Sequence, residues 1–107
     1  IGREVFEKCN VFLSPTIRTT VPTLASTDVD AGNPGAAEAF NFCSINTRPI
    51  NYMGLPCVSV PCGFDSGGLP IGLQIAGRPF GEGRVLKVAD AFQRDTDWHN
   101  RRPKVEG

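Results

Sequence analysis

Apolar and polar positions recur at two periods along this chain, and the change of period divides it into elements. From Ile1 to Cys9, apolar Ile1, Val5, Phe6 and Cys9 stand at helical spacing, with Arg3, Glu4, Glu7 and Lys8 between them. That pattern predicts the last turns of a helix with one buried face. Asn10 tolerates the left-handed conformation and is expected to end it. Val11-Phe12-Leu13 reads as a short inner strand, because Pro15 biases Ser14 to extended geometry and stops the run. Residues 16–35 carry only isolated apolars (Ile17, Val21, Leu24) among threonines and turn formers. They predict an irregular surface excursion without a core of its own. Ala36 to Phe42 returns to helical composition, with Ala37, Phe40 and Cys43 on one side. Ser44 to Met53 predicts a further helix, in which Pro49 is admitted only in the first turn or at a kink. Thr47, Ile50, Asn51 and Gly54 would share one face of it, and Gly54 with Pro56 would close it.

The most organised stretch runs from Asn51 to Phe80. Val58 and Val60 alternate with Cys57, Ser59 and Pro61, as in a strand with at least one buried face. Leu69 to Ala76 is apolar apart from Gln74 and the backbone breakers Pro70 and Gly72, which suits an inner strand covered on both faces. Asp65-Ser66-Gly67-Gly68 supplies the positive-φ residues of a connecting turn. From Glu82 to Trp98, Val85, Val88, Ala89 and Phe92 form a stripe at helical spacing opposite Arg84, Lys87, Asp90 and Arg94. This is the clearest amphipathic helix in the chain. Trp98 to Pro103 reads as a frayed exit and tail. The fold class predicted is α/β, with mixed-sheet strands covered by helices, in a single piece over residues 1–107.

Composition narrows the function classes. The 107 residues carry eleven basic and eleven acidic side chains, a formal net charge of zero. Phosphate binding needs a local excess of Lys and Arg, so nucleic acid and anionic membrane are not expected partners. No apolar run approaches the roughly 20 residues that span a bilayer, and no stretch reads as a signal peptide. Cys9, Cys43, Cys57 and Cys62 form no C-x-x-C pair, and the single histidine, His99, is distant in sequence. Neither a zinc site nor a disulfide framework is expected. The cysteines are predicted to be small buried hydrophobes in a cytoplasmic chain, with no metal and no cofactor.

The residues offer little catalysis of their own. His99 lies in a polar terminal stretch and reads as a surface residue before a base. Cys62, ahead of Gly63, lacks a paired histidine at any motif spacing and reads as a strand-end residue. Gly-x-Ser-x-Gly is absent, and Gly63 to Gly68 has neither the G-x-G-x-x-G spacing nor a P-loop lysine.

Several spaced blocks nevertheless carry a resemblance. Asn10 to Thr16 (Asn-Val-Phe-Leu-Ser-Pro-Thr), Gly54-Leu55-Pro56, Ser59 to Phe64 (Ser-Val-Pro-Cys-Gly-Phe) and Gly68 to Gln74 (Gly-Leu-Pro-Ile-Gly-Leu-Gln) occur in order. Phe80, Glu82 and the helix after them continue the series. The chain resembles the C-terminal part of amidase signature family enzymes. That resemblance implies a hydrolase of carboxylic amides working through a serine, a second serine in a cis peptide, and a lysine. Those residues belong to an earlier glycine- and serine-rich segment with no counterpart here, so no catalytic residue is expected in this chain. The start at Ile1, in the middle of an amphipathic pattern, fits a cut chain.

By the same resemblance the helix before Gly54 faces the pocket for a small-molecule amide, and Thr47 and Asn51 carry over as substrate-binding residues. Members acting on amino-acid side-chain amides place an acidic residue near Ser44; serine here argues against that subclass. Gln74 and Glu82 match family positions and read as polar fasteners. The alternative is a non-catalytic module that self-associates into a homo-oligomer or binds a partner through an unfinished sheet edge. A small enzyme using Cys62 or His99 is the remote third reading.

Overall fold

The computed structural model describes residues 2–104. Helix α1 (Gly2–Lys8) leads into strand β1 (Val11–Pro15). Short helices α2 (Leu24–Thr27), α3 (Ala36–Phe42) and α4 (Arg48–Met53) follow. The hairpin β2 (Cys57–Phe64) and β3 (Pro70–Gly77) comes next, then helix α5 (Glu82–Asp95) and a 3₁₀ turn, Trp98–Asn100. Ile1, assigned above to the first helix, lies outside the described residues.

The three strands form one sheet in the order β1-β3-β2, and both ladders are antiparallel. The most apolar strand therefore takes the centre. Ser14 and Ser59 both stand opposite Gln74, while Leu13 and Val58 stand opposite Ile75. Because side chains alternate, one face collects Val58, Val60, Leu73 and Ile75 and the other collects Ser14, Ser59 and Gln74. Helix α5 covers the apolar face. Val60, Ile75, Val85 and Ala89 are buried there, with Val11, Val58, Leu73, Val88 and Phe92 packed around them. Contact is close enough that a Cβ on Gly77 would stand 2.5 Å from Val85 Cγ2. Glycine is what lets helix and strand approach.

The hairpin turn is closed by a side chain. Asp65 Oδ1 accepts from Gly67 N at 2.8 Å and Leu69 N at 3.0 Å, and Gly68 takes φ +80°. Gly54 ends α4 at φ 66°, in the left-handed conformation that favours glycine.

Several expectations change. Asn10 has no positive φ; its Oδ1 accepts from Arg84 Nη1 at 2.7 Å and ties α1's exit to α5. Strand β1 lies at an edge of this sheet, with Phe12 and Leu13 exposed. Only Gln74 to Gly77 of β3 are buried, whereas Pro70 and Ile71 at its other end face solvent. In α3 the buried residue is Ala36, and Phe40 is exposed. Residues 43–47 are turns, so regular helix begins only at Arg48, with Pro49 in the first turn as its missing N–H requires. Helix α5 stops at Asp95, and Thr96 Oγ1 donates to Phe92 O at 2.9 Å. The segment after it is docked, not frayed. The Trp98 ring lies 6.2 Å from that of Phe64 on β2, and the Arg101 guanidinium sits 4.6 Å from the Trp98 centroid.

Candidate functional site

The sheet face opposite α5 carries the polar chemistry. Gln74 is buried, yet it stands on β3 beside the wholly buried Ile75 and Ala76. Its Nε2 donates to Ser14 Oγ at 3.0 Å and to the Asn46 carbonyl at 3.0 Å. Asn46 Nδ2 in turn donates to the Pro15 carbonyl at 2.9 Å. Two residues further along β3, the hydroxyls of Thr16 and Ser59 share a hydrogen bond of 2.6 Å across the position of Gly72. A Cβ at Gly72 would stand 2.8 Å from Ser59 Oγ and 2.9 Å from Thr16 Oγ1, so only glycine leaves that pair intact.

Beside this polar row, α1, β1 and α4 enclose an apolar cleft of about 380 Å³. Phe6, Phe12, Ile50, Met53 and Leu55 form most of its wall, and Ser14, Asn46 and Arg18 supply its polar positions. A second hollow, of about 540 Å³, shares Phe6, Met53 and Leu55 with it and is rimmed by Arg3, Glu7 and Arg78. Arg78 Nη2 donates to the Phe6 carbonyl, which joins the end of β3 to α1.

Thr47 and Asn51 lie one turn apart at the start of α4 and share a face. Thr47 is half-buried, its Oγ1 donating to the Ser44 carbonyl at 3.2 Å; Asn51 is exposed. The residues α4 gives to the cleft are Pro49, Ile50 and Met53; Ile50 borders the Thr47–Asn51 face, but neither Thr47 nor Asn51 lines the cleft. Ser44 Oγ donates to the Asn41 carbonyl at 3.1 Å. Glu82 stands exposed in the first turn of α5, where a carboxylate favours the positive end of the helix dipole.

The cysteines depart from expectation, since none of the four is buried and Cys57 is exposed. Partial desolvation raises the pKa of both Cys57 and Cys62; at Cys57 a backbone hydrogen bond involving Ile75 offsets part of the rise. Both are held as thiols at neutral pH, the reverse of an activated nucleophile. His99 is half-buried, and its Nδ1 is enclosed without a hydrogen-bond partner. Among the described residues no three His, Cys, Asp or Glu side chains are grouped to hold a metal ion, and no helix is long and apolar enough to cross a membrane.

Sequence reasoning missed Ser14, Asn46 and the Thr16–Ser59 pair. Strand register was the missing signal: alternation puts Ser14, Ser59 and Gln74 on one face only once β1 and β2 are paired to β3.

The comparisons with known proteins agree with one another. The profile of the family described as Amidase matches residues 2–86. A glutamyl-tRNA(Gln) amidotransferase subunit of Moorella thermoacetica is 45% identical over 100 residues, covering 94% of this chain and 19% of the relative. Its namesake from a Synechococcus strain is 47% identical over 100 residues, covering 94% and 18%. The crystal structure of the namesake from Thermotoga maritima superimposes with a TM-score of 0.80 at 29% identity, over 98% of this chain and 22% of that one. The chain thus spans about a fifth of the length of the relatives it matches.

Proposed function

This chain belongs to the amidase family, and on that footing we propose that it is the C-terminal part of an enzyme that cleaves carboxylic amide C–N bonds. The observation that carries the reading is the match over residues 2–86 together with a coverage of about a fifth of each relative. In this reading the serine, the bridging serine and the lysine belong to the remainder of the protein. The serine attacks the amide carbonyl, lysine and the second serine carry its proton to the leaving amine, and backbone N–H groups hold the oxyanion. The present piece supplies the wall against which the amide substrate is placed, with Thr47 and Asn51 facing it, and works in the cytoplasm.

The relatives' names favour a narrower version, in which the whole protein is one component of an amidotransferase that passes the amide nitrogen to glutamyl-tRNA(Gln). The acceptor would be bound elsewhere, since this piece has a net charge of zero. Ser44 favours a second version, hydrolysis of simple amides, because the resemblance associates an acidic residue there with side-chain amides.

The test is ammonia release by the full-length polypeptide that contains this segment, offered glutamine, asparagine, and simple aliphatic and aromatic amides. Turnover of any of them supports the amide-bond reading, and preference for glutamine supports the amidotransferase version. No turnover of any, alone or with co-purified partner chains, overturns it in favour of the partner-binding module. The isolated 107-residue chain is expected to be inactive; turnover abolished by Cys62→Ala or His99→Ala would assign the chemistry to this piece.

A further inference from the structure

We propose that Gln74 is a positioning residue, which sets the place of the substrate wall from inside the sheet; this rests on the amide-bond reading above. Among the described residues it is the one buried polar side chain, 2% exposed, on a strand whose next residues are Ile75 and Ala76. An apolar side chain would fill such a site without the cost of desolvating an amide. What glutamine adds is direction. Its NH₂ group has two hydrogens, and each has a partner: Ser14 Oγ on β1 and the carbonyl of Asn46 in the turn before α4.

That turn has no strand pairing of its own. Asn46 is gripped twice, its carbonyl by Gln74 and its side-chain amide by the Pro15 carbonyl. The residues around it are tied to one another, because the Ser44 carbonyl accepts from Thr47 N at 3.2 Å, Arg48 N at 3.0 Å and Thr47 Oγ1 at 3.2 Å. Thr47 follows Asn46 directly, and Asn51 N donates to the Thr47 carbonyl at 3.1 Å. A displacement at Asn46 is therefore passed to both wall residues. Gln74 acts through Asn46 and need not touch the substrate.

The experiment uses the full-length polypeptide and compares Gln74→Met, close in volume but without donors, with Asn46→Asp and Asp65→Ala. Asn46→Asp replaces the donor to Pro15 by an acceptor at a half-buried, foldable site. Asp65→Ala loosens the hairpin that carries β3 without touching the turn. For Gln74→Met, KM for the amide is expected to rise about tenfold with kcat within about twofold, and Asn46→Asp should shift in the same direction. Asp65→Ala should lower the unfolding midpoint and leave KM unchanged. Hydrogen exchange should quicken at the amides of residues 46–48, 50 and 51 in the first two variants only. An unchanged KM in both, or a rise in Asp65→Ala of the same size, overturns the proposal. Were Gln74→Met not to fold, Gln74→Glu, of the same shape but without the two donors, would decide it by the same two readouts. Were the unsubstituted polypeptide to turn over no amide, the amide-bond reading would fall, while unaltered exchange at the same backbone amides would separately refute the role of Gln74.

Discussion

Cys57 and Cys62 stand on the same strand but meet solvent differently, the first exposed and the second half-buried. Desolvation raises both thiol pKa values, so the thiolate fraction at neutral pH is lower than for a free cysteine. In the isolated chain Cys57 is expected to be alkylated first, and its rate should still be climbing above pH 9. A rate that levels off below pH 8, read by mass spectrometry of the labelled peptide, would contradict the raised pKa. Apolar neighbours predicted burial for these cysteines, yet Cys57, flanked by Pro56 and Val58 on an edge strand, stays exposed. Gln74 shows the opposite case. Its identity was legible as the one polar break in an apolar strand, but its partners Ser14 and Asn46 lie 60 and 28 residues away in sequence. Single-residue patterns carry no information about such distant pairs. The same holds for Thr47 and Asn51, whose common face follows from helical spacing while the surface opposite them does not.

Among the elements, hairpin and α5 were the most legible, because each is specified within about 20 consecutive residues by period, turn chemistry and glycine placement. Their closing contacts make two further expectations. Asp65→Ala removes the acceptor for two backbone N–H groups in the turn and should destabilise by about 1–2 kcal/mol, read by urea unfolding. No change would mean that the β2–β3 ladder holds the turn unaided. Gly77→Ala drives a methyl into Val85 and should cost about 1–3 kcal/mol, since neither the strand nor the helix yields without disturbing Ile75. Restoration by Val85→Ala in the double variant would identify that contact as the cause; a double variant no better than the single would refute it. The Trp98 turn was illegible for the reason that hid the polar row. Its partner Phe64 is 34 residues earlier, and a short polar tail gives no hint that an aromatic pair docks it, with an Arg101–Asp97 ion pair inside the turn.

At the scale of the whole molecule the chain is more open than its length requires. Its accessible surface is 7831 Å², where a folded monomer of this mass exposes about 5,800 Å². Its radius of gyration is 15.9 Å, against about 13 Å for a compact chain of this length. The thickness of 18 Å is little more than one sheet and one layer of helix. The excess surface is partly apolar: Phe12 and Leu13 on β1 and Ile71 on β3 are each more than a third exposed. Strands β1 and β2 also each leave one edge without a partner among the described residues. Free edges offer backbone donors and acceptors to any other strand, and uncovered apolar faces draw a cover. Burying about 400 Å² of such surface contributes about 10 kcal/mol, which falls within the range of about 4–15 kcal/mol that association costs. An interface that buries more apolar surface than this tips the balance toward association. The isolated 107-residue chain is therefore expected to self-associate, and sedimentation at tens of micromolar should find dimers or larger species. Replacing Phe12 and Leu13 together by lysine should shift it toward monomer, since charge on an edge strand opposes both pairing and apolar contact. A compact monomer at high micromolar concentration that binds no dye for exposed apolar surface would show instead that the open face is stable in water without a cover.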